Sequence, residues 1–76
     1  MRTAMDPRPG DEIIGNRPDG REVRRYVTRT EMCDRAIYYA TEKGGQEARQ
    51  TSTWISSWRG WVRKHKARLG ATEWRY

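Results

Sequence analysis

Few residues of this chain are of types that do chemistry. There is one histidine, His65, and one cysteine, Cys33, and the carboxylates are scattered. Nucleophilic catalysis needs a nucleophile, a base and a group that orients the base, and a zinc-type centre needs several His or Cys ligands at regular spacing. One residue of each kind supplies neither. Asp11 and Glu12 are neighbours in sequence, so on a strand they point to opposite faces and do not form a general acid–base pair. Gly44-Gly45 reads as a turn and not as a phosphate-cradling loop. The expectation is a non-enzymatic protein with no catalytic residue, no metal and no cofactor, in which His65 packs on the apolar side of a helix.

What the chain has instead is positive charge, gathered at one end. The formal net charge is +6. Residues 1–53 hold ten Lys or Arg against nine Asp or Glu, whereas residues 54–76 hold six against one. Thirteen of the sixteen cations are arginine, the side chain that grips phosphate bidentately and stacks on bases. A GC-rich codon bias would account for the Arg:Lys ratio but not for the asymmetry. One-sided positive charge is the footprint of a polyanion partner, because each neutralised phosphate releases counterions. With Trp58 turned toward a core, a helical reading places Arg59, Arg63 and Lys66 on one flank and Lys64 and Arg68 on the other. No acid falls between residues 54 and 72, so like charges at i, i+4 repel, and an anionic partner would relieve that repulsion.

The function expected is therefore that of a small accessory protein binding nucleic acid through Arg59, Arg63, Lys64, Lys66 and Arg68. The strand residues Arg24, Arg25 and Arg29 would widen the footprint. No base-reading helix is evident, so backbone contacts and low sequence specificity follow. A second reading, from another class, is a small inhibitor or adaptor that docks on an acidic or nucleic-acid-binding surface of a host protein complex through Trp and Arg hot spots. Neither reading involves a membrane or a small-molecule substrate.

These residues must be positioned by one small domain, since 76 residues, 34% of them hydrophobic, build a single core. The apolar run at 36–40 is far shorter than the ~18 residues of a membrane span, and residues 1–10 lack the apolar centre of a secretory signal. With a lone cysteine, a cytoplasmic protein is expected. The first ten residues contain two prolines and a glycine without periodicity, so they should form a loose arm, with the domain spanning 11–76.

Ile13-Ile14 opens a strand and Pro18-Asp19-Gly20 makes a turn. The second strand, 22–30, carries Val23, Tyr26 and Val27, which alternate only if a bulge lies near Arg24-Arg25. Residues 31–34 connect it to a third strand at 35–41; a turn at 42–45 and a Thr-rich return strand at 47–53 follow. From residue 54 the apolar period changes from that of a strand to that of a helix. Trp58, Trp61, Val62, His65 and Leu69 line one face, extended backwards by Trp54 and Ile55. A helix over about 55–69 results, with Ser56 or Ser57 as N-cap and Gly70 as its stop. Gly60 weakens this helix, and close packing against a neighbour would be one reason for it. With no Phe and a single Leu, the core must come from Trp, Tyr, Ile and Val; Trp74, Tyr76 and Tyr26 are the candidates for the surface.

The fold class expected is mainly β (α+β), a meander of four or five short antiparallel strands followed by one C-terminal amphipathic helix. The order of elements at 9–66, ending in Ser56-Ser57-Trp58-Arg59-Gly60-Trp61-Val62-Arg63, resembles small phage- and prophage-encoded proteins. In these, an SH3-like barrel ends in a helix carrying a Trp-x-x-Trp pair, here Trp58 and Trp61. The resemblance implies a small SH3-like barrel and a mobile-element setting; it assigns no functional residue.

Overall fold

The hydrophobic alternation of the first half of the chain becomes a hairpin, and the rest is laid against it. The structure, a computed structural model, describes residues 3–41 and 50–70. Among these residues the elements are β1 (Glu12–Asn16), β2 (Glu22–Glu31), β3 (Ala36–Ala40), β4 (Thr51–Trp54), α1 (Ile55–His65) and β5 (Arg68–Leu69). All pairings are antiparallel and form one sheet in the order β4-β3-β2-β1-β5. The fold is thus mainly β with one helix. Among the described residues the sheet stays open, with β4 and β5 at its two edges.

Register explains how β2 serves two partners. Its first half pairs with β1, Glu12 opposite Tyr26 and Asn16 opposite Glu22. Its second half pairs with β3, and the register shifts between Val27 and Arg29. The bulge therefore lies at Thr28 and not near Arg24-Arg25. Unbroken pairing with β1 leaves no extra residue there, whereas the buried Thr28 hydroxyl finds a partner in Gln50 Oε1 at 2.8 Å. The extra residue flips the phase: Val27 lies in the core with Tyr39, while Arg29 joins Tyr38 on the opposite face.

The core lies between α1 and one sheet face. It comprises Ala4, Ile13, Val27, Ile37, Tyr39, Trp58 and Val62, with Met5, Ile55, Trp61, Ala67 and Leu69 packed at its margin. Trp58 is fully buried, its ring edge-on to Tyr39 at 5.7 Å, and its indole N–H donates to the Ala4 carbonyl at 2.8 Å. That bond corrects the expectation for the N-terminal arm. Ala4, Met5 and Asp6 lie against α1, where the buried indole needs an acceptor and the Ala4 backbone provides it. Buried Asp11 fastens the same segment by accepting the Arg8 amide at 2.8 Å.

The helix is shorter than its apolar stripe. It ends at His65, where Lys66 adopts a left-handed conformation (φ 49°, ψ 46°). The Lys66 and Ala67 amides then close onto the carbonyls of Arg63 and Val62. Arg68 and Leu69 leave the helix to pair with Ile14 and Ile13, so the single leucine reaches the core from a strand. Helix to about 69 with Gly70 as its stop is thus corrected: the edge of β1 supplies hydrogen bonds that a longer helix would leave unmade. At the other end Trp54 closes β4 and occupies the N-cap position without a side-chain cap, so neither Ser56 nor Ser57 fills it. Tyr26, expected at the surface, is buried. Burial first, and then the charge of and hydrogen bond with Glu12, push its hydroxyl above the ordinary tyrosine pKa, with Arg24 opposing. Trp74, Tyr76 and the 42–45 turn lie outside the described residues.

Candidate nucleic-acid interface

The eight basic residues expected to meet phosphate have three different fates. Four are paired with carboxylates of the chain itself. Arg59 donates to Asp6 Oδ1 at 2.8 Å and to the Met5 carbonyl at 3.3 Å. Arg24 and Arg68 share Glu22, at 3.0 and 3.2 Å, and Arg24 also lies 3.6 Å from Glu12. Arg29 pairs with Glu31 at 3.2 Å while stacking over Tyr38 at 4.2 Å. All four cations are partly exposed, so each pair holds little energy, but the cation is locally neutralised.

Arg25 meets a different end. Its position on β2 faces α1, and its guanidinium sits 3.9 Å from the Trp61 ring centre, 4.2 Å from Tyr39 and 5.5 Å from Trp58. Removal from water pulls its pKa below the ordinary arginine value, with Tyr39 acting in the opposite direction. The rings compensate part of the lost hydration. Arg25 is thus a half-buried strut between sheet and helix.

Arg63, Lys64 and Lys66 stand without an ion-pair partner among the described residues. The two-row arrangement expected for this helix is not formed, because Lys66 has left the helical path and Arg68 is in β5. Lys64 and Lys66 instead converge with Arg17 on a cleft of about 350 Å³ lined by Asn16, Arg17, Pro18, Lys64, His65 and Lys66. No carboxylate of the described residues lines it. Asp19, near Arg17, is engaged by Arg21, whose amide and side chain lower its pKa.

Local sequence sets this geometry. The Arg17 amide donates to the Arg21 carbonyl at 2.8 Å and the Gly20 amide returns to the Arg17 carbonyl at 2.9 Å, forming the expected turn, with Gly20 at φ 91°. Across from it, Gly15 lets α1 approach β1: a β-carbon there would lie 2.9 Å from His65 Cβ and 3.4 Å from the Trp61 ring. His65 packs on Trp61 at 5.3 Å between ring centres, with Nδ1 3.1 Å from the Trp61 carbonyl oxygen. A glycine inside a strand is the sequence signal of such a close approach. Arg17 is the residue the charge pattern does not reveal, since it lies about fifty residues from the lysines it joins, and the close approach at Gly15 together with the β1–β5 pairing brings the two segments together.

The opposite end of the molecule presents another surface. Trp54 is 45% exposed and Met32 66% exposed. Register puts Trp54 opposite Ala36 and Tyr38 opposite Ser52 and Arg29, all on the sheet face turned away from α1. The connection before β3 is a left-handed turn in which Met32, Cys33 and Asp34 all have positive φ, from 55° to 64°. None of the three is glycine, so the backbone is strained there.

Comparison with known proteins finds no matching family model, no matching curated protein and no matching solved structure.

Proposed function

We propose that the protein is a non-enzymatic nucleic-acid-binding accessory protein, acting in the cytoplasm, whose contact point is the cleft between the β1–β2 turn and the C-terminal end of α1. One observation carries the proposal. Arg17, Lys64 and Lys66 converge on a cleft that no carboxylate of the described residues lines, while Arg21, Arg24, Arg29, Arg59 and Arg68 have carboxylates of their own. Cations held near one another without counter-charge repel, and a phosphate backbone removes that cost while releasing its own counterions. No helix of the described residues is long and apolar enough to cross a membrane.

In fold terms the same proposal keeps the small SH3-like protein of phage or prophage origin. A four-strand meander, a helix between the last two strands and a β2 shared across a bulge agree with such an arrangement. Fluorescence anisotropy with one labelled oligonucleotide across a salt series tests the function. Affinity should fall linearly in log–log form, and no binding at about 50 mM salt would refute the proposal.

A second reading is favoured by the other surface. Trp54, Tyr38, Met32 and Arg29, beside a strained turn, have the composition of a protein-binding hot spot. An adaptor of this kind would be retained by a host protein in a pulldown and would show no salt-dependent affinity for bare nucleic acid.

A further inference from the structure

We infer that the cleft takes a phosphate monoester, the terminal phosphate of a nucleic-acid strand, and not the continuous backbone of a duplex. The inference rests on the nucleic-acid reading and narrows it to one chemical group.

The distribution of unpaired charge among the described residues is the reason. A protein that follows a continuous backbone needs cations spaced along it, one for each phosphate it neutralises. Here the row is interrupted. Arg59 is held by Asp6, Arg24 and Arg68 by Glu22, and Arg29 by Glu31, so each of these cations is locally compensated. Three uncompensated cations are gathered instead at one point, Arg17 from the turn and Lys64 and Lys66 from the helix end, with Arg63 next to them in the chain, whereas Arg8 and Arg35, also without an ion-pair partner among the described residues, do not line that cleft.

Their number suits a doubly charged ligand. An internal phosphodiester carries one negative charge, whereas a monoester carries about −1.5 to −2 at neutral pH and three oxygens to accept hydrogen bonds. The lining offers donors to match: a guanidinium, two ammonium groups and the Asn16 side-chain amide. The Arg17 main-chain amide is already committed to Arg21, so recognition falls to side chains. The helix end itself would repel an anion, but the Lys66 and Ala67 amides close onto the Arg63 and Val62 carbonyls, which moderates that field. A cleft of about 350 Å³ bounded by two short segments holds a phosphate and its sugar, not the side of a duplex.

The test compares the full chain's affinity for one internally labelled single-stranded oligonucleotide in three forms: 5′-phosphorylated, 3′-phosphorylated, and hydroxyl at both ends. At least one phosphorylated form should bind about tenfold tighter, the effect of one added charge-assisted hydrogen bond. That advantage should vanish in Lys64→Gln/Lys66→Gln and persist in Arg63→Gln, with melting temperature checking that each variant is folded. Equal affinity for all three forms overturns the inference while leaving the nucleic-acid reading in place. An advantage that survives in the double variant overturns the site. No binding of any form overturns both the inference and the reading beneath it.

Discussion

The two ends of α1 carry the same kind of charge and treat it in opposite ways. At the first turns Arg59 is clamped by Asp6 and the Met5 carbonyl, beside a tryptophan whose indole is bonded to Ala4. At the last turn Arg63, Lys64 and Lys66 have no carboxylate partner among the described residues, and two of them join Arg17 around a cleft. The first end is built into the fold and the second is left open. Counting basic residues therefore misjudges a surface, because a cation that already has a carboxylate offers a polyanion only what remains after that carboxylate is displaced.

The largest expected effect breaks the built-in end. Trp58→Ala removes a fully buried ring together with its indole hydrogen bond, and it should lower stability by about 3 to 5 kcal/mol in urea denaturation. At this size a core rarely supplies more than about 3 to 5 kcal/mol, so little folded protein should remain. Next comes the joint between the helix and the cleft. Gly15→Ala forces a β-carbon against His65 Cβ and should cost about 1 to 3 kcal/mol while weakening oligonucleotide binding, because it moves the helix end away from Arg17.

Gly60→Ala is the control for that substitution. Among the described residues nothing lies within 4 Å of a β-carbon at Gly60, so close packing between them does not explain this glycine. The variant should gain up to about 1 kcal/mol in a melt and leave affinity unchanged. The smallest effect is Asp6→Asn, which should cost about 0.5 kcal/mol, since the pair with Arg59 is exposed. It should also steepen the salt dependence of binding slightly, by returning Arg59 to the surface.

Much of the fold was legible because its signals are local. The Pro18-Asp19-Gly20 turn, the Ile37-Tyr38-Tyr39 strand and the change of period at residue 54 all depend on neighbours within a few positions, and each stands near its expected place. The helix C-terminus was not legible. Leu69 fits a helical stripe as well as it fits a strand, and the choice is made by the edge of β1, more than fifty residues earlier. A similar separation hid Arg17 from the candidate site. The bulge was misplaced for a related reason: alternation shows that one residue is extra, but only pairing with two different strands shows which. The charge asymmetry pointed to the part of the chain that supplies Lys64 and Lys66 to the cleft, and ion pairing, which sequence does not display, then removed Arg59 and Arg68 from the unpaired set.

The central claim is that unpaired cations, not all cations, set the affinity for a polyanion. Two charge-matched triple variants test it directly: Arg17→Gln/Lys64→Gln/Lys66→Gln at the cleft, and Arg24→Gln/Arg59→Gln/Arg68→Gln among the paired residues. Salt-dependent anisotropy should show the log–log slope of the first falling by about 2 to 3, at roughly 0.7 to 0.9 for each phosphate no longer neutralised, and that of the second staying close to the unmodified protein. Equal reductions in the two variants, or a larger reduction in the second, would contradict the account.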